Sequence, residues 1–271
     1  MRLTRRMLKT YLRFWITNRR VDAWAREVNV FFVLALGRSG TAFLAHLLNQ
    51  ADGAYVVHEP IGEDFIAHQH AFHDPDAARR YVRRFRKKDT FLRARALQAP
   101  MTTYGEVNSA LRRHARALAG AFPDAARFHL VRDGRDVVRS MSARRTMTPE
   151  DKNTSMIRPR PDDPWADHWA QLDRFARLCW YWQVENAYLR RNIERTVQFE
   201  AILASYDYFC EHLLEPAGLQ LPPSIWEKAV NRPRNVTKEH AMPPWEQWTP
   251  VQKETFRAIC GEEMRKNGYD F

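Results

Sequence analysis

Apolar residues crowd into one run near the start of the chain. Asn29–Leu36 reads NVFFVLAL, apolar at successive rather than alternate positions. That pattern predicts a strand buried on both faces, as a central parallel strand requires. Ala54–Val57, Met101–Val107, Arg127–Val131 and Thr196–Phe199 predict further strands. Helical patterns separate them: Thr41–Asn49, Leu111–Ala121, Arg135 to about Arg144, and Ile202–Leu214. Trp165, Trp169, Leu172, Ala176, Cys179 and Gln183 fall mostly on one face of a long helix predicted to reach about Arg191. Thr249–Pro250–Val251–Gln252 predicts a helix start: Thr caps, Pro fits the first position and Gln252 completes a capping box. Gly268 marks the stop. Strands alternating with helices predict an α/β fold with a parallel sheet and right-handed crossovers.

Arg144–Asp167 breaks this rhythm. It is rich in Pro, Asp, Asn and Thr. A loop of that length in a compact domain is usually functional or disordered, and residues 143–167 are read as a lid or acceptor-binding loop.

Length and composition fit one large domain or at most two small ones: 271 residues, 45% hydrophobic. Residues 1–27 read as a basic N-terminal segment and 28–271 as the domain. No apolar run is long enough to span a bilayer. The first twenty residues are basic without a signal-peptide pattern, so a cytoplasmic protein is expected. The three cysteines, at 179, 210 and 260, are too far apart for a disulfide framework or a zinc pattern. A net charge of +11 favours an anionic ligand, acidic lipid or nucleic acid among partners.

The chemistry starts at Leu36–Gly37–Arg38–Ser39–Gly40–Thr41, which joins the buried strand to a helix. Glycine lets the backbone turn so that N–H groups face inward, and the helix start adds its positive dipole end. This is an anion cradle, although a plain glycine turn would look similar. Against the pattern of a nucleotide-triphosphate loop, Thr41 stands where the Lys should be and Ala42 where the Mg²⁺-binding hydroxyl should be. The loop therefore suits an anion transferred without Mg²⁺, with Arg38 supplying charge. A second constellation, RFHLVRDGRDVVRSM over Arg127–Met141, sets Arg132 at a strand's carboxyl end and Ser140 on the next helix. Ligands of open α/β sheets bind at those strand ends, so Arg132 should lie beside the loop. An Arg with a nearby hydroxyl suits a phosphate monoester.

These two motifs resemble those of the sulfotransferases that use 3′-phosphoadenosine 5′-phosphosulfate (PAPS). Arg38 through Leu44 is similar to that family's K/R-S-G-T-T-x-L, and Arg132 through Ser140 to its R-D-P-R-D-x-x-x-S. Weaker likenesses follow in order at Tyr104–Asn108, Val197–Leu203 and Trp248–Tyr269. The resemblance implies a three-layer α/β/α architecture around a central parallel sheet of about five strands, related to the P-loop kinases. It implies PAPS as donor, no required metal, and a small-molecule, lipid or glycan acceptor. Arg38, Ser39, Gly40, Thr41, Ala42 and Phe43 would hold the 5′-phosphosulfate; Arg132 and Ser140 would hold the 3′-phosphate. Three departures stand out. Ala42 lacks the usual hydroxyl, Gly134 replaces Pro, and Arg234, Asn235 and Lys238 are the only guesses for the family's late basic loop.

Glu59, just past the strand Ala54–Val57, should emerge beside the loop. Members acting on tyrosylprotein or carbohydrate carry a Glu at this distance, and in the former it acts as base. Glu59 is thus the candidate catalytic base, with Arg38 as charge stabiliser and His58 and Glu106 as alternates. His68, His70 and His73 lack a carboxylate or Cys partner at metal-ligand spacing and read as a polar helix face. Trp245 and Trp248 suit core packing or stacking on a ligand. Two rival readings are a small-molecule kinase and a non-enzymatic basic protein binding membrane or nucleic acid. Peripheral contact of residues 1–20 with acidic lipid is also compatible with catalysis, and no nucleic acid is expected under the enzyme reading.

Overall fold

The computed structural model describes residues 12–96, 101–154, 156–232 and 242–270. Five parallel strands make one sheet: β1 (Asn29–Ala35), β2 (Ala54–His58), β3 (Thr103–Asn108), β4 (Ala126–Val131) and β5 (Arg195–Gln198). Their spatial order is β2-β3-β1-β4-β5. The apolar run is the central strand, and Val30 through Ala35 are all buried. Side chains of a strand alternate between faces. Phe31, Val33 and Ala35 accordingly enter one core, with Leu44, Phe209 and Leu213. Val30, Phe32 and Leu34 enter the opposite one, with Trp24, Phe91, Leu118 and Phe122. Each buried Phe contributes about 1.5–3 kcal/mol. Phe31 also dictates its neighbour: it pairs in register with Gly105, where a Cβ would lie 2.1 Å from the Phe31 ring.

The helices are α1 (Asn18–Glu27), α2 (Thr41–Leu48), α3 (Glu63–His73), α4 (Pro75–Tyr81), α5 (Lys87–Arg95), α6 (Ala115–Ala121), α7 (Gly134–Ser142), α8 (Arg174–Asn192), α9 (Phe199–Ala204), α10 (Tyr206–Phe209), α11 (Pro223–Val230) and α12 (Pro250–Lys266). A π-helical turn, Val82–Arg86, joins α4 to α5. The capping box of α12 is present, with Gly268 beyond its end at φ +79°.

Three expectations shift. The long helix begins at Arg174, because Asp173 caps it by accepting from the Ala176 N–H at 2.8 Å. Trp165, Trp169 and Leu172 lie in turns ahead of it, yet still pack on the same core cluster. The segment Ile202–Leu214 is interrupted at Ser205, whose hydroxyl caps the next turn through Tyr208 N at 3.1 Å. The segment from Leu111 opens with a 3₁₀ turn, Arg112–His114, before α6. No helix among the described residues is long and apolar enough to cross a membrane.

The loop at 143–167 packs onto the body. Met147, Thr154 and Ile157 are buried. Arg174 donates to the carbonyls of Ser142 and Thr146, each at 3.0 Å. From the helix side, His73 Nε2 lies 3.0 Å from the Met156 carbonyl, and Trp180 donates to Asp163 at 2.9 Å.

Candidate active site

Parallel strands bring their carboxyl ends to one edge. Glu59 follows β2, Ser109 follows β3, Gly37–Gly40 follow β1, Arg132 follows β4 and Phe199 follows β5. Glu59, Arg38 and Arg132 lie along this edge, Thr41, Ala42 and Phe43 open the helix that starts there, and Ser140 stands on α7.

The glycine loop turns through Arg38 at φ +76° and Gly40 at φ +87°. Gly40 is required twice. Its backbone is left-handed, and a Cβ there would sit 2.2 Å from the Phe199 ring. The first N–H groups of α2 therefore open toward the sheet edge with the helix dipole behind them. Ser39 is wholly buried, and its hydroxyl has no partner among the described residues. A buried polar group without a partner is costly, and a ligand oxygen would satisfy it. Thr41 is engaged differently: its Oγ1 lies 2.9 Å from His58 Nε2. Phe43 meets Phe199 edge-on, with centroids 5.9 Å apart.

Arg38 and Arg132 are brought together. Arg38 Nε donates to Ser140 Oγ at 2.9 Å, and Arg132 Nη1 donates to the Arg38 carbonyl at 3.2 Å. Arg132 also lies over the Phe199 ring and reaches Asp136 at 2.9 Å. Burial, then repulsion from Arg144 and Arg132, holds the Arg38 guanidinium below its ordinary pKa. An anion bound here would relieve that repulsion. The departure at Gly134 turns out to have a structural reason. A Cβ there would fall 2.9 Å from the Trp182 indole and 3.1 Å from Met264 Sδ. The same indole donates to the Arg132 carbonyl at 3.3 Å and so fixes the strand tip.

Glu59 is half-buried just past β2, with φ +42°. Left-handed backbone costs a non-glycine residue about 1–2 kcal/mol. Such strain gathers at working sites, and Arg38, Glu59 and Met147 are the described non-glycine residues that carry it. Ser109 Oγ donates to the Glu59 carboxylate, and His58 Nε2 is 3.7 Å from it. Glu106 is placed elsewhere. It is fully buried, salt-bridged to Arg86, and accepts from Tyr104 at 2.8 Å. Ser109 and Arg112 were not singled out by the sequence. Arg112 donates to the Ser109 carbonyl and pairs with buried Glu185 at 3.1 Å. Only the strand-end likeness at Tyr104–Asn108 pointed near them.

The histidines separate. His68 is buried 3.3 Å from Glu185, and burial lowers its pKa to about 4. It is thus not on a polar surface, whereas His70 and His73 are exposed. Trp248 is buried in the core beside Phe175 and Phe256. Trp245 is half-buried, with Arg135, Lys253 and Arg257 over its ring. Arg234, Asn235 and Lys238 lie outside the described residues, as do residues 1–11 of the basic N-terminal segment.

No family model and no curated protein matches the chain. Solved structures do. The sulfotransferase STF9 from Mycobacterium avium aligns at TM-score 0.53 and 14% identity, over 93% of this chain and 83% of that one. A sulfotransferase from Alicyclobacillus acidocaldarius aligns at 0.44 and 16% identity, over 90% and 97%. Mouse SULT7A1, crystallised with PAP, aligns at 0.49 and 13% identity, over 96% and 89%. The sheet order and the likeness to the Mycobacterium avium structure show that this chain has the sulfotransferase fold.

Proposed function

We propose that this chain transfers a sulfuryl group from PAPS to a hydroxyl or amine of a carbohydrate, lipid or small metabolite. One observation carries the reading: Arg38, Arg132 and Ser140 are joined by direct hydrogen bonds around a buried, glycine-started helix end. The 5′-phosphosulfate would lie on Ser39–Phe43, satisfying the Ser39 hydroxyl, and the 3′-phosphate between Arg132 and Ser140.

The reaction parallels phosphoryl transfer: in-line attack through a loose transition state. The acceptor oxygen or nitrogen forms a bond to sulfur as the bond from sulfur to the phosphate oxygen breaks. Charge grows on that leaving oxygen, where Arg38 and the loop amides stabilise it. The acceptor proton passes to Glu59, leaving sulfated product and adenosine 3′,5′-bisphosphate. Residues 143–167, tied to α3 and α8, would form the acceptor side of the cleft. Arg38 fills the role that a Lys and Mg²⁺ share in triphosphate loops, so the chemistry needs no metal.

The test is donor binding. Adenosine 3′,5′-bisphosphate should raise the melting temperature more than ATP–Mg²⁺ does. Arg132→Ala should bind it roughly tenfold to hundredfold more weakly, the worth of a charge-assisted hydrogen bond. Preference for ATP–Mg²⁺ would favour a kinase, and unchanged affinity in the variant would remove Arg132 from the site.

A further inference from the structure

Two stretches outside the cleft combine cations with exposed aromatic rings. Residues 12–20 and 79–88 contain no acidic residue. In the first, Phe14 is 81% and Trp15 64% exposed, with rings edge-to-face at 5.8 Å. In the second, Phe85 is 44% exposed. Arg13 ties the two together: Nε donates to Asp89 at 2.7 Å and the guanidinium lies over Phe85 at 5.4 Å. Lys88 adds a hydrogen bond to the Arg13 carbonyl at 3.0 Å. Ile16, just beyond, is buried and anchors the segment. The aromatic rings thus stand out from a fixed base.

The nearby charge is one-sided. Arg19, Arg20, Arg83 and Arg84 are exposed and make no ion pair among the described residues. Four nearby carboxylates are already engaged: Asp89 with Arg13, Asp22 with Lys87, Asp76 with Arg79 and Asp74 with Arg80.

We infer that this face docks on an anionic lipid surface, with Phe14, Trp15 and Phe85 entering the headgroup region and the arginines meeting lipid phosphates. Aromatic rings favour the interface between water and hydrocarbon. Each cation near an anionic leaflet contributes attraction that salt screens. A second copy of the chain fits less well. A two-fold contact through this face would bring the same cations together, in a chain of net charge +11. Arg13 also lies within electrostatic reach of Glu63, at the start of α3.

The experiment is cosedimentation of the full chain with vesicles of phosphatidylcholine alone, or of phosphatidylcholine mixed with phosphatidylglycerol. Binding is expected only to the mixed vesicles and should weaken as salt rises. Reversing two charges in Arg83→Glu/Arg84→Glu should weaken it roughly tenfold or more. Phe14→Ser/Trp15→Ser should weaken it comparably, and both variants should keep adenosine bisphosphate affinity. Hydrogen exchange of the unaltered protein gives a readout independent of any variant's folding: anionic vesicles should protect residues 12–20 and 79–88. Equal binding to neutral vesicles, no binding at all, full binding by both variants, or protection elsewhere would each overturn the inference. So would dimerisation in the absence of vesicles that Phe14→Ser/Trp15→Ser abolishes, since the occupant would then be a second copy. Donor binding is read separately, so failure here leaves the proposed activity untouched.

Discussion

Two glutamates on neighbouring strands face opposite fates. Glu106 lies in β3 and Glu59 just beyond β2, whose His58 pairs in register with Val107. Glu106 is sealed. Arg86 pairs with it and donates to Asp64 at 2.9 Å, while Tyr104 and Asn108 supply further donors to the pair. Burial opposes the charge on Arg86, but Glu106 and Asp64 outweigh it and raise its pKa. Among the described residues Glu59 has one hydrogen-bond donor, Ser109, and its side chain keeps 21% of its surface open. Donor supply thus separates the two. A carboxylate whose lone pairs are filled by Arg holds elements together, whereas one left partly open can take a proton.

The comparison breaks most sharply at Arg86. Arg86→Ala would leave Glu106 and Asp64 buried without their cation. Breaking such a pair costs about 3–5 kcal/mol, a large share of a domain's stability. Urea unfolding should show a much lower midpoint, or no folded protein. An unchanged midpoint would mean that water replaces the guanidinium and that the cluster is not sealed.

Glu59→Gln should act in the other direction, leaving stability and donor affinity alone. Loss of a general base lowers turnover by about 10²–10⁴-fold. Radiolabelled sulfuryl transfer at saturating donor would measure it, once an acceptor is found. Turnover near the original rate would shift the role to His58, 3.7 Å away.

The sequence put Glu59 at a strand end and left Glu106 as an alternate, for a physical reason. Glu59 follows a recognisable strand, and a strand end in a parallel sheet is a ligand position. Glu106 also sits near a strand end, and nothing nearby in sequence shows that Arg86 covers it. Arg83, Arg84, Arg86, Lys87 and Lys88 are near neighbours in sequence, yet Arg86 and Lys87 turn inward at the π turn and the start of α5 while Arg83 and Arg84 stay outside. β1, β2 and β4 were legible because their apolar runs are local. Gly134 beneath Trp182, and Ser109 beside Glu59, depend on elements that meet only after folding. The early start drawn for α8 has the same origin. Trp165 and Trp169 share its core without sharing its helix, so apolar spacing alone does not mark the boundary that Asp173 sets.

Ser109 offers the finest test of the contrast. Its hydroxyl donates to Glu59, its carbonyl accepts from Arg112, and a Cβ at Gly37 would lie 3.8 Å from its Oγ. It therefore touches the carboxylate and stands near Gly37 of the glycine loop. If Ser109 positions Glu59, Ser109→Ala frees the carboxylate to rotate, and kcat should fall about tenfold, the worth of one hydrogen bond to a charged group. Donor affinity and the unfolding midpoint should hold, and Ser109→Thr should restore most of the rate because it returns the hydroxyl. A loss of donor affinity, with kcat at saturation unchanged, would assign Ser109 to the phosphate loop. Glu59 would then be held by its left-handed backbone alone, and the open carboxylate would owe its placement to strain rather than to a donor.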